Sequence, residues 1–148
     1  ILYRLVGSEM CIRDRLHLVG IGEALSVAKK NKIDLGLTYK AIKISSGNSF
    51  VNETETQVIL GGSYDVGFTM DLVNKDINLF NKLGKNIKLE LGNYLSKKFK
   101  LGMKNLGERS FSTSIIKLIE KDAKIKLRAK NFPKQLIDKQ KKQKGVEV

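Results

Sequence analysis

Tryptophan is absent from this chain, and proline, cysteine and histidine occur once each in 148 residues. So little proline, beside abundant Leu, Ile and Lys, favours helices over a sandwich or barrel. A lone cysteine, Cys11, excludes an internal disulfide and a cysteine-based metal centre. His17, the one histidine, has no cysteine or carboxylate at metal-ligand spacing, so a packing or surface role is expected and no metal. There is no H-E-x-x-H, no phosphate-binding Walker loop and no nucleophile elbow. No apolar run approaches the ~20 residues of a membrane-spanning helix. The start has neither the apolar core nor the small-residue cleavage site of a secretory signal, which makes the cytoplasm the expected location.

Acidic residues are also scarce: 15 Asp and Glu stand against 28 Lys and Arg, a net charge of +13. More than half of that sits at the end, where Lys121 to Val148 holds ten basic and three acidic residues, a net of +7. A solvated basic tail accounts for this concentration better than a nucleic-acid arm does. The rival from another class is a basic helical module for RNA or DNA, which would need its cations on one folded face.

Residues 5–15 read LVGSEMCIRDR. Back-translated, this string matches a common transposase-type sequencing-library adapter read through in frame. We therefore expect residues 1–15 to be a non-native leader, to be set aside in fold reasoning.

The rest divides into about six helices with no period-2 strand pattern. Leu16–Lys30 is apolar nearly all round, the mark of a helix buried on most sides. Short helices are expected over Thr38–Ser45 and Ser49–Leu60, each followed by a glycine suited to a C-cap. In the fourth, Thr69–Leu83, steps of 100° gather Leu72, Val73, Ile77, Leu79, Phe80 and Leu83 into one arc. Asp76 falls within that arc, with Lys75 just past its edge. Two more helices are expected over Leu89–Met103 and Ser112–Asp122, with Ser110 or Ser112 as N-cap of the last. The expected organisation is a leader at 1–15, an all-α domain at 16–122 and a flexible basic tail at 123–148, broken at Pro133.

Few residues carry chemistry. Gly20-Ile21-Gly22 opens like a dinucleotide fingerprint, but Leu25 takes the third glycine position and no strand precedes it. Close helix packing explains those glycines better. Glu23 and Asp76 sit where a charge would be desolvated, so each is read as half of a structural ion pair or as a cap. On that reading, Asp76→Ala costs ~3 kcal/mol, as when a buried pair loses one partner. Lys75, by pattern alone, is a solvated lysine at the rim of a core, able to reach a phosphate or carboxylate in a neighbouring cleft.

The runs Glu23-Ala24-Leu25-Ser26-Val27-Ala28, Asp34-Leu35-Gly36-Leu37 and Ile44-Ser45-Ser46-Gly47-Asn48-Ser49 together resemble the C-terminal domain of the β-hydroxyacid dehydrogenases. Phe68-Thr69-Met70-Asp71-Leu72 followed by Lys75-Asp76-Ile77 is similar to that family's F-x-x-x-L-x-x-K-D-L segment. The likeness is collinear over Leu16–Asp122. Where the family continues K-D-L-G-x-A-x-D, this chain has Asn78, Phe80 and no matching final aspartate.

The resemblance implies an all-α domain of the 6-phosphogluconate dehydrogenase-like type and an NAD- or NADP-dependent parent. That parent would pass hydride between nicotinamide and a small β-hydroxyacid such as 3-hydroxyisobutyrate. It also implies an N-terminal Rossmann domain and a catalytic lysine in a G-x-G-x-x-x-K-x-x-N-N motif, both upstream of Leu16, so no catalytic residue is expected here. Lys75 and Phe68 become cofactor-binding by resemblance, with Asp76 and Glu23 as structural support. A homodimer through the apolar helices is the expected assembly, with a small hydroxyacid as substrate and neither membrane nor nucleic acid as partner. A non-catalytic relative reused as a scaffold is the other alternative.

Overall fold

The computed structural model describes residues 2–139, with side chains from residue 9 onward. Six α-helices follow one another: α1 (Leu2–Lys30), α2 (Leu35–Lys43), α3 (Phe50–Gly61), α4 (Met70–Leu83), α5 (Glu90–Leu106) and α6 (Ile116–Ala123). A 3-10 turn, Ser112–Ile115, leads into α6. Among the described residues there is no strand, only an isolated bridge between Thr69 and Phe111.

α1 is the spine, packed against α2, α3, α4, α5 and α6. It is longer than the sequence suggests, running unbroken through residues 5–15, where Ile12 and Arg15 are buried. Nothing in that stretch breaks a helix, and Arg15 finds an acidic partner inside the fold, so the helix simply continues. α1 ends where Lys32 turns to a φ of 60° and the Ile33 amide returns to the Ala28 carbonyl at 3.0 Å. That closure satisfies an end carbonyl that no further helical turn reaches.

α1 is also less enclosed than its composition suggests. Leu18, Val19, Ile21, Leu25 and Ala28 are buried, whereas Gly20, Glu23 and Ala24 are exposed and Val27 is 63% exposed. The two glycines differ in role. A Cβ at Gly22 would meet the Ile116 Cδ1 at 2.5 Å, while one at Gly20 would meet nothing within 4 Å. Close packing therefore explains Gly22 alone.

Caps position the middle of the chain. The Asp34 carboxylate accepts from the Leu37 amide at 2.7 Å to start α2, and the Ser49 hydroxyl accepts from the Asn52 amide at 3.1 Å to start α3. Each supplies an acceptor to an otherwise unpaired first-turn amide. α3 closes at Gly62, whose φ of 90° suits glycine. α4 and α5 are antiparallel neighbours over a core of Met70, Val73, Ile77, Leu95, Phe99, Ile115 and Ile116, all fully buried. The predicted apolar arc of α4 is thus buried at its centre, and Leu83 at its end is 49% exposed.

The segment after α6 is packed rather than free as far as Pro133. Leu127 is completely buried, the Ala129 amide donates to the Leu60 carbonyl at 3.2 Å, and Phe132 meets the Tyr39 ring edge-on at 5.2 Å. A Cβ on Gly61 would come within 2.0 Å of the Pro133 carbonyl oxygen, so a glycine lets the strap lie flat on α3. Residues 140–148, the end of the expected basic tail, lie outside the described residues.

Candidate functional site

α4 presents the residues singled out by sequence along the N-terminal half of α1. Phe68, two residues before α4, is fixed by the bridge to the 110–112 segment: the Ser112 amide donates to its carbonyl at 2.8 Å, and the Met70 amide donates to the Ser110 carbonyl at 2.9 Å. Its ring is half-buried, with the Arg15 guanidinium 6.0 Å from the centroid. One turn earlier on α1, the Cys11 thiol donates to the Asp76 carboxylate at 3.4 Å. Burial pushes that thiol up to about 11, partly offset by Arg15 and reinforced by Asp76. Phe68 and Asp76 are therefore brought to one stretch of α1, between residues 11 and 15.

Lys75 points outward. Its side chain is 71% exposed, and its ammonium stands 4.0 Å from the Asp76 carboxylate, itself 26% exposed. Such a pair contributes little to stability, since the ammonium keeps most of its water and stands at the outer limit of an ion pair. Asp76 is thus not the buried ion-pair member that its helical position suggested. The arc that holds it lies at the edge of the α1–α4 contact, where its nearest donors are a thiol and a solvated ammonium. Glu23 departs further from expectation: it is exposed on the outer side of α1 and has no ion pair among the described residues.

Among the described residues, the buried carboxylates are Glu55 and Glu120. Glu55, on the inner side of α3, pairs with Arg15 at 3.2 Å, and Arg15 also donates to the Ser112 hydroxyl at 3.1 Å. Burial raises the Glu55 carboxyl above its ordinary value, and Arg15 opposes that rise. Glu120, on α6, has a fully buried side chain. It accepts from the Tyr64 hydroxyl at 2.7 Å, the Leu127 amide at 2.7 Å and the Arg128 guanidinium at 3.2 Å. Burial and the bond to Glu120 raise the Tyr64 hydroxyl. The signal for both was present: Glu55 lies four residues from Val51 and Ile59, and Glu120 four from Ile116, all buried. A carboxylate at core spacing was there to be read on α3 and α6 as it was on α4.

A cavity of about 330 Å³ lies on the other side of α1, lined by Leu16, His17, Ala24, Ile42 and Asn52 among others. Lys75 and Phe68 do not line it. Among the described residues no three His, Cys, Asp or Glu side chains gather as a metal-ligand set. No helix there is long and apolar enough to cross a membrane.

A long spine helix wrapped by five shorter ones is the architecture of a dehydrogenase helical domain. The fold is shared with the 3-hydroxyisobutyrate dehydrogenase of Salmonella typhimurium, with a TM-score of 0.69 at 22% identity over 76% of this chain and 40% of that one. The L-threonate dehydrogenase of Haemophilus influenzae is 28% identical over 76 residues, 51% of this chain and 25% of that protein. The chain therefore spans a quarter to two fifths of the length of these relatives. Residues 15–119 match the family described as the NAD-binding domain of NADP-dependent 3-hydroxyisobutyrate dehydrogenase, and the chain belongs to that family.

Proposed function

We propose that this chain is the helical domain of an NAD(P)-dependent oxidoreductase acting on a small β-hydroxyacid, of which 3-hydroxyisobutyrate is the type. The family match over residues 15–119 carries the reading. When bound, the nicotinamide supplies or accepts the hydride. This chain's part is to hold the dinucleotide, through the ammonium of Lys75 and the half-buried ring of Phe68. The side chains fit such a group: Lys75 has no ion pair closer than 4.0 Å and keeps its donors for an anion, and Phe68 offers a ring fixed by backbone hydrogen bonds. Asp76 supports α4 from the rim of that helix and takes no part in chemistry. Proton transfer to or from the hydroxyl belongs to a lysine upstream of Leu16.

In the same reading, residues 1–15 are a leader foreign to the parent, residues 16–122 are the helical domain, and the parent is a cytoplasmic homo-oligomer. Recovering the parent gene upstream of Leu16 by long-read sequencing, then assaying its product with NAD and NADP, tests all of this. A Gly-rich βαβ segment, the upstream lysine and reduction of nicotinamide by 3-hydroxyisobutyrate are expected. An intact parent that binds neither dinucleotide would contradict the proposal.

A further inference from the structure

The inner side of α5 is Gly92, Leu95, Ser96, Phe99 and Gly102, all buried. Its outer side departs from an ordinary solvated face. Leu91 is 59% exposed, Tyr94 44% and Leu101 52%. With Lys98 and Asn105 they recur at alternating spacings of three and four, which holds all five in one stripe along the helix. Lys97 and Lys104, each one residue before a stripe position, edge it along its length. Lys98 lies within the stripe, its ammonium 5.8 Å from the centroid of the Tyr94 ring. Between Lys82 and Asn105 the chain has seven lysines and one acidic residue, Glu90, which is already paired with Lys88. None of these side chains is used by the cofactor reading, so the two stand or fall separately.

We propose that this face of α5 docks an acidic amphipathic helix of another protein, whose apolar seam covers Leu91, Tyr94 and Leu101 and whose flanking Asp and Glu meet Lys97, Lys98 and Lys104. A helix is the occupant we commit to, because its own residues at spacings of three and four can follow the stripe along its length. Charge excludes a second copy of this chain, since self-pairing through the stripe would bring lysine against lysine. A phosphate backbone fits the lysines but would bury two leucines against charged oxygens.

Fluorescence anisotropy on the whole chain tests the proposal. The probes are a labelled synthetic helix with Leu at its seam and Glu at its flanks, and a twin with Lys at the flanks. The Glu helix binds and the Lys twin does not, and raising salt from about 0.05 to 0.5 M weakens binding by about tenfold or more. Reversing Lys97→Glu with Lys104→Glu exchanges the preference for the two probes, and Leu101→Ser weakens the Glu helix by about tenfold. These side chains are exposed, so helical circular dichroism is expected to hold. Should the charge reversal unfold the chain, Lys97→Ala with Lys104→Ala replaces it and still weakens the Glu helix. Equal binding of the two probes, indifference to Leu101→Ser, or tighter binding of single-stranded DNA or phosphatidylglycerol vesicles than of the Glu helix would overturn the proposal.

Discussion

Glu120 and Asp76 occupy comparable places in their helices, each on the inward half with a lysine or arginine nearby, and the fold treats them in opposite ways. Glu120 is fully buried and is tied to Tyr64, the Leu127 amide and Arg128. Asp76 keeps a quarter of its surface in water and has a thiol at 3.4 Å and an exposed ammonium at 4.0 Å. A buried carboxylate must be satisfied completely or it unfolds its surroundings, so it becomes an anchor for the scaffold. A rim carboxylate need not be, and the lysine beside it stays solvated. The scaffold's charges therefore lie on α1, α3, α6 and the strap, and the candidate cofactor lysine lies on α4.

That contrast breaks most visibly at Glu120. Replacing it by alanine strands the Tyr64 hydroxyl, the Leu127 amide and Arg128 together, and should lower stability by about 3–5 kcal/mol, read as a large drop in the thermal midpoint. A midpoint within a degree of the parent chain would show that the strap is not anchored there.

Glu55 sharpens the comparison through pH. Its folded carboxyl is raised above the ordinary 4.5 by burial, with Arg15 opposing. The folded state thus holds that proton more tightly than the unfolded chain does. The stability this contributes is complete below pH 4.5 and is lost as pH rises through the raised folded value. Urea unfolding at a series of pH values should show this loss in the parent chain and not in Glu55→Gln. The same slope in both would assign the titration to another group.

Asp76→Ala is the mildest of the three and should cost only about 1 kcal/mol, because a thiol contact and a solvated pair are all it removes. A loss near the ~3 kcal/mol of a broken buried pair would mean that Asp76 is enclosed in solution after all.

The sequence was readable where local physics decides. Six helices in the right order follow from apolar periodicity and from the glycine pair that ends α3. The start of α2 did not: it begins at Leu35, three residues before the expected Thr38, because the short oxygen of Asp34 reaches the Leu37 amide and caps it. What else escaped was tertiary. Glu23 sits in an apolar run, yet only the packing of α2, α3 and α6 around α1 decides which of its sides is left out. Leu127 and Phe132 lie in a lysine-rich stretch that reads as a tail, and their burial depends on a groove beside Gly61 made by distant residues. Resemblance to a family singled out Lys75, Phe68 and Asp76; the fold brings Phe68 and Asp76 to one stretch of α1 and leaves Lys75 facing solvent, a placement that depends on how α4 packs on α1.

The most direct test of the account is the kinetics of Lys75→Ala in the intact parent. The account predicts a KM for NAD(P) raised about tenfold with kcat within about threefold, as when a uniform binding contact is lost, and a melting midpoint that does not move. An unchanged cofactor KM, or a kcat loss that exceeds the KM effect, would contradict the assignment of Lys75 as a cofactor-binding residue.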